Sequence, residues 1–208
     1  MPDPIRLYRF ALSGHAHRAQ LQLSLLNLPA ELIDVDLARG AQKQPEFLAK
    51  NPFGTVPVIE DGALTLADSN AILVYLATKY DASGRWLPRD AATQGRVQRW
   101  LAVAADQLLN GPALARMVHV FGSKHDLPRA QRVAAKLFEV LDAQLEARPF
   151  LAAPEPTIAD VALYTYTAHA PEGGLSLQPY PHIRAWLDRI EALQGFVPMP
   201  KSPLPQPA

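Results

Sequence analysis

The stretch that decides the fold is "VPVIEDGALTLADSNAILVYLATKY", Val56 to Tyr80. Its first half carries two short apolar-rich segments around Asp61-Gly62, a pair that favours a two-residue hairpin turn. We read it as two antiparallel strands. Its second half, "DSNAILVYLATKY", has helical periodicity and opens on an Asp-Ser cap. Upstream, "IRLYRF" (Ile5–Phe10) reads as a short buried strand, and His15 to Leu28 as a helix apolar nearly all round. "AELIDVDL" alternates toward another strand. "QPEFLAKN" is a short helix with Pro45 in its first turn, where a missing N–H costs nothing. The order is βαβ, then α, then ββ, then α. A strand–helix–strand crossover implies a parallel pair, and the hairpin adds antiparallel strands.

Beyond Tyr80 the texture changes. Residues 81–92, "DASGRWLPRDAA", read as a linker. From 93 to 208 no strand is evident, and helices are expected over Thr93–Phe121, Leu127–Glu146, Thr157–His169 and Tyr180–Gln194. Pro112 predicts a kink after Gly111, because a helix-interior Pro loses a hydrogen bond and clashes one turn back. The closing "PMPKSPLPQPA" reads as a surface tail. The expected architecture is a small α/β domain over residues 1–80 followed by an all-helical domain.

Composition excludes several functions. The 208 residues hold 20 Lys+Arg against 20 Asp+Glu, so no basic excess points to nucleic acid or an anionic membrane. There is no cysteine, which removes disulfides, thiolate metal sites and any protein thiol nucleophile. Sulfur chemistry would have to use a ligand's sulfur. The N-terminus lacks the pattern of a secretory signal, and no run of about 18 apolar residues exists to span a membrane. A cytoplasmic protein is the expectation.

Four short segments carry candidate chemistry. In "SGHAHRAQ", Ser13 stands at a strand-to-helix turn, where ligands of α/β sheets collect. It is either the helix N-cap or a hydroxyl donor to a bound thiolate, and the two roles claim one hydroxyl. His15 and His17 point about 200° apart on a helix, so they share no metal. Arg18 reads as structural, with its stem packed and its head paired. In "DSNAI", Asp68 and Ser69 are either caps or a matched pair for an α-amino-acid end group, the carboxylate accepting from an ammonium and the hydroxyl donating to a carboxylate. Gln42 and Lys43 are a solvated loop or a clamp for a second carboxylate. Val56-Pro57 is a strand-entry proline, or a cis bond that leaves the Val56 main chain free to pair with an extended peptide.

The combination of "SGHAHR", "NPFGTVPVIEDG", "DSNAI" and "PTIADVALY" resembles the cytosolic glutathione S-transferase family, in its serine-type phi, tau, theta and zeta classes. The resemblance implies a thioredoxin-like first domain, an all-helical second one and a homodimer. It implies glutathione as co-substrate, a small hydrophobic electrophile as partner, and no metal. Carried over residue by residue, Ser13 stabilises the glutathione thiolate, with His15 in reserve. Val56, before cis-Pro57, pairs with the cysteinyl backbone, with Thr55 beside it. Asp68 and Ser69 hold the γ-glutamyl end, and Gln42 and Lys43 meet the glycyl carboxylate. Gln42 replaces a His common in phi- and theta-type members, and Asp68 a commoner Glu. Asn110 and His119 are the expected second-substrate residues. Thr157 and Asp160 form a Thr-x-x-Asp helix cap that belongs to folding. Two alternatives stand beside conjugation: a glutathione-dependent disulfide reductase or peroxidase using two glutathione molecules, and a noncatalytic glutathione-binding protein.

Overall fold

One mixed sheet organises the first part of the chain. Strands β1 (Ile5–Arg9), β2 (Ala30–Asp34), β3 (Val58–Asp61) and β4 (Leu64–Ala67) run in the order β2-β1-β3-β4. β1 pairs parallel with β2, and antiparallel with β3, which pairs antiparallel with β4. The parallel pair follows from the crossover through α1 (Gly14–Leu25), and the hairpin closes at Asp61-Gly62 as its turn residues predict. Alternation sends Ile5, Leu7 and Ile59 to one face, where they pack with Ala19 and Leu23 of α1 and with Ile72 and Leu76 of α3 (Ser69–Tyr80). Each such buried aliphatic side chain contributes about 1.5–3 kcal/mol. The opposite face carries Tyr8 and Val58 against Phe47 of α2 (Pro45–Leu48). There Glu60 accepts from Tyr8 (2.9 Å), Arg6 (3.1 Å) and Lys50, which ties the second residue past α2 to the sheet. The bond from Lys50 holds the Glu60 carboxyl below its usual range.

The computed structural model describes residues 3–205. Residues 1, 2 and 206–208, the outermost parts of the two expected domains and of the expected tail, lie outside it. The described chain divides into two units. The first runs to Gly84 and also takes in Leu193–Pro200, and the second holds Arg85–Ala192 and the residues from Lys201. The segment expected as a surface tail, from Pro198, is largely exposed over its described residues, with Met199 the exception, while the stretch just before it is tied to α1. His17 Nε2 donates to the Val197 carbonyl (2.8 Å), Ser24 donates to the Gly195 carbonyl (2.6 Å), and Met199 is only 3 % exposed. The bond to Val197 gives the buried His17 ring a partner.

The second unit is helical. The helix expected over Thr93–Phe121 is broken into α4 (Ala91–Ala105), a single π turn at Leu109–Ala113 and α5 (Leu114–Phe121). Pro112 lies inside the π turn, whose wider ring accommodates the missing N–H and the ring clash that an α turn would not. Helices α6 (Leu127–Glu146), α7 (Ile158–Ala168) and α8 (Pro181–Glu191) complete it. Thr157 and Asp160 form a reciprocal capping box at α7. The Asp160 carboxylate also accepts from Leu151 N (2.9 Å) and Trp186 Nε1 (3.0 Å), so one side chain joins three segments. Complete burial pushes its pKa up. On α5, Arg116 pairs with buried Glu172 (2.6 Å), which also accepts from His169 Nδ1 (2.6 Å) and Ser202 N (3.0 Å).

Candidate functional site

Two helix starts meet in the first unit. β1 ends at Arg9, and the chain turns through Ser13, which is extended (φ −86°, ψ 115°) and caps α1. Ser13 Oγ accepts from Ala16 N at 3.3 Å. That bond uses a lone pair and leaves the hydroxyl hydrogen available. The cap and thiolate-donor roles thus use different parts of the hydroxyl and do not compete. At the other start, Asp68 Oδ1 accepts from Asn70 N and Ala71 N, both at 2.9 Å. Oδ2 is not needed by the cap. Asp68 has φ 74° and ψ 122°, a conformation that strains any residue with a Cβ.

His15 joins the two starts. Its Nδ1 lies 3.3 Å from Ser69 Oγ, and Ser69 is 4 % exposed. Arg18, one turn along α1 and 1 % exposed, donates from Nη1 to Ser69 Oγ (3.1 Å), to His15 Nδ1 (3.1 Å) and, at 3.4 Å, to Asn70 Oδ1. Burial, then the neighbouring Arg18 charge, pushes the His15 pKa down to about 3. The ring is neutral at physiological pH. Because Arg18 can only donate, Nδ1 is the acceptor nitrogen and Nε2 carries the proton. The "structural" reading of Arg18 holds for its packing. Its head, however, sits against two predicted site residues.

The loop before β3 carries the other predicted residues. Gln42 and Lys43 stand in a 3-10 turn, Ala41–Lys43. The Gln42 carbonyl packs on Gly54, where an added Cβ would stand 3.0 Å from it, and Gly54 has φ 59°. Gln42 Oε1 is buried without a hydrogen-bond partner among the described residues, and Lys43 is exposed. Asn51 Nδ2 donates to Thr55 O (2.8 Å) and Thr55 Oγ1 (2.9 Å), fixing the loop before Val56. The Val56-Pro57 peptide is cis, and Val56 lies just outside the ladder that begins at the Tyr8–Val58 pair. Sequence reasoning passed over Asn51. Its signal was the Asn-Pro-Phe-Gly turn, whose Asn accepts from the main chain two residues on. In the second unit, Asn110 uses its amide on Asp106 (2.8 Å), while exposed His119 lies beside Gly174. The described structure brings these two into no common cluster.

The family model for the glutathione S-transferase N-terminal domain matches residues 3–78, and the model for the C-terminal domain matches residues 105–194. The chain belongs to the glutathione S-transferase family. It is 33 % identical to glutathione S-transferase 3 of Zea mays over 96 % of this chain and 97 % of that one. A glutathione S-transferase structure from Pseudomonas fluorescens superposes with a TM-score of 0.89 at 32 % identity, covering 95 % of this chain and 99 % of that one. A glutathione transferase homologue from Drosophila mojavensis, solved with bound glutathione, superposes with a TM-score of 0.83 at 27 % identity, covering 91 % and 88 %. The glutathione S-transferase N-terminal match spans both helix starts and the loop between them. No helix among the described residues is long and apolar enough to cross a membrane.

Proposed function

We propose that the chain conjugates the thiolate of glutathione to small hydrophobic electrophiles, at the site built by the starts of α1 and α3 and the loop before Val58. One observation carries this reading: His15, in the first turn of the helix that Ser13 caps, lies within hydrogen-bond reach of Ser69 at the start of α3. Each N-terminus presents free N–H groups and a partial positive charge to an anion. A thiolate and a carboxylate on one ligand match them.

In the reaction, the thiol proton leaves to solvent, the sulfur lone pair forms the new S–C bond, and the electrophile's leaving group departs with its electron pair. Ser13 O–H donates to the thiolate. A free thiol has a pKa of about 8.5, and each unit of lowering corresponds to about 1.36 kcal/mol. A hydroxyl bond to a charged partner is worth about 1.5–3 kcal/mol, so Ser13 supplies one to two units and the α1 terminus the remainder. Asp68 Oδ2 accepts from the γ-glutamyl ammonium, and Ser69 donates to its carboxylate. Val56 pairs with the cysteinyl main chain, beside Thr55. Gln42, with its buried unpartnered Oε1, and Lys43 form the glycyl end. The bound glutathione of the Drosophila mojavensis relative supports the ligand class.

As part of this reading we place the enzyme in the cytoplasm, as a homodimer acting on reactive small molecules. Phe53, 89 % exposed, supports self-association, as does an apolar groove of about 390 Å³ between α4 and α6, lined by Trp100, Val133, Leu137 and Val140. Sedimentation of Phe53→Ser should show weakened association.

The deciding experiment measures glutathione binding by calorimetry and turnover of a chlorinated nitrobenzene. Binding with conjugation supports the reading. Binding without turnover across an electrophile panel supports a carrier, and turnover only of disulfides or peroxides supports the reductase.

A further inference from the structure

The nitrogen of Arg18 that reaches the site, Nη1, carries two hydrogens and faces three acceptors. Ser69 Oγ and His15 Nδ1 both lie at 3.1 Å, and Asn70 Oδ1 is farther, at 3.4 Å. The two shorter contacts take the hydrogens. A neutral imidazole has a single lone pair at its unprotonated nitrogen, and Arg18 fills it. The Ser69 hydroxyl lies 3.3 Å from the same Nδ1 and so cannot also place its hydrogen there. Its oxygen already accepts from Arg18. What remains of Ser69 is one hydrogen, held as a donor for another acceptor.

We propose that Arg18 is a positioning residue for the carboxylate subsite at Ser69: by occupying both the Ser69 oxygen and His15 Nδ1, it keeps the Ser69 hydrogen for the γ-glutamyl carboxylate of glutathione. This rests on the reading above that Ser69 binds that carboxylate. The buried guanidinium charge acts in the same direction, because it favours an anion on the far side of the hydroxyl. His15 then has a defined part. It is the competing acceptor whose lone pair Arg18 keeps filled. Without Arg18, the Ser69 hydrogen turns onto His15 and is lost to the ligand.

The test uses the full chain and two probes: glutathione, and its analogue with the γ-glutamyl α-carboxylate converted to the carboxamide. Arg18→Met should raise the glutathione Kd about tenfold or more, and the carboxamide Kd less than about twofold. The loss should appear in KM for glutathione with kcat largely kept. Arg18→Met combined with His15→Leu, which removes the competing acceptor, should recover about threefold or more of that loss. Arg18→Lys retains the charge as a point donor without the planar fork, and should give an intermediate loss with the same recovery. Ser69→Ala is the control on the underlying reading. If it binds glutathione as the parent does, that reading fails at its root. If Ser69→Ala is weakened, four results overturn the role of Arg18 alone: unchanged glutathione affinity in both Arg18 variants, equal loss of both probes, no recovery with His15→Leu, or unfolding of both variants.

Discussion

Ser13 and His15 show how little a residue type says before its partners are known. Ser13 looked like a cap and is one, yet the accepting bond from Ala16 N leaves its hydrogen to donate. Ser13→Ala is expected to raise the apparent thiol pKa of bound glutathione by about one to two units, read as a shift in the pH–rate profile. It should also lower stability by about 0.5–2 kcal/mol through loss of the cap. An unshifted profile would transfer thiol activation to another donor. His15 gives a second expectation. The unfolded imidazole takes its proton near pH 6.5, the folded one only at about 3. Between those values the unfolded state binds more protons, so stability falls as pH falls, and above the unfolded pKa the effect vanishes. His15→Leu should flatten the dependence of the urea midpoint on pH between about pH 6 and about pH 4. Parallel curves for parent and variant would contradict a neutral folded His15. The sequence reading had the Arg18 head paired but named no partner for it, because that partner is distant in the chain. Arg18 meets Ser69 across 51 positions, and periodicity on α1 carries no trace of that pairing. Asn51 was closer to legible, since its turn is local.

At the scale of elements, α6 appears over the expected Leu127–Glu146, and the α7 cap over the expected Thr157 and Asp160, because both are set by local signals. The long helix before them is not continuous. Pro112 predicted trouble after Gly111, but the form it takes, a π turn, depends on what packs there. A Cβ added at Gly111 would stand 2.9 Å from Ala134 N and 3.1 Å from Ala134 Cα on α6. Gly111→Ala is therefore expected to force the π turn and α6 apart and to cost about 1–3 kcal/mol, measured by urea unfolding. Gly95, on α4 with open space around it, is the comparison. Gly95→Ala should stabilise by about 0.4–1 kcal/mol. Equal effects at the two positions would remove the packing argument.

At the scale of the whole molecule, the proline-rich end lies at the surface over most of its described residues, as its composition suggests, with two exceptions. Pro198, Pro200, Lys201, Pro203 and Leu204 are exposed, yet Met199 is buried, and just before the tail Gly195 and Val197 accept hydrogen bonds from α1. Within it, Ser202 N donates to Glu172 in the helical unit. Removal of residues 193–208 should destabilise the first unit by about 3–6 kcal/mol, from one buried methionine and two hydrogen bonds. Hydrogen exchange should speed up along α1. Unchanged protection of α1 would mean that this contact contributes nothing in solution. Composition did not mark Met199 or Ser202 because a Pro-rich segment forms no ladder or helix of its own but can still offer a methionine and a main-chain N–H to a surface already built.

By itself, the sequence determined the element order, the crossover and hairpin that fix the sheet, the helical second half and the segments that carry glutathione-family motifs. All of these depend on short-range signals: period-2 and period-3.6 patterning, turn pairs and caps. The tertiary structure alone decided which polar groups share hydrogens across the fold: Arg18 with Ser69, Tyr8 with Glu60, Glu172 with Ser202. It also decided where the last residues pack. Such pairings depend on distances between elements far apart in the chain, and a buried polar group takes whichever partner the packed core brings within about 3 Å.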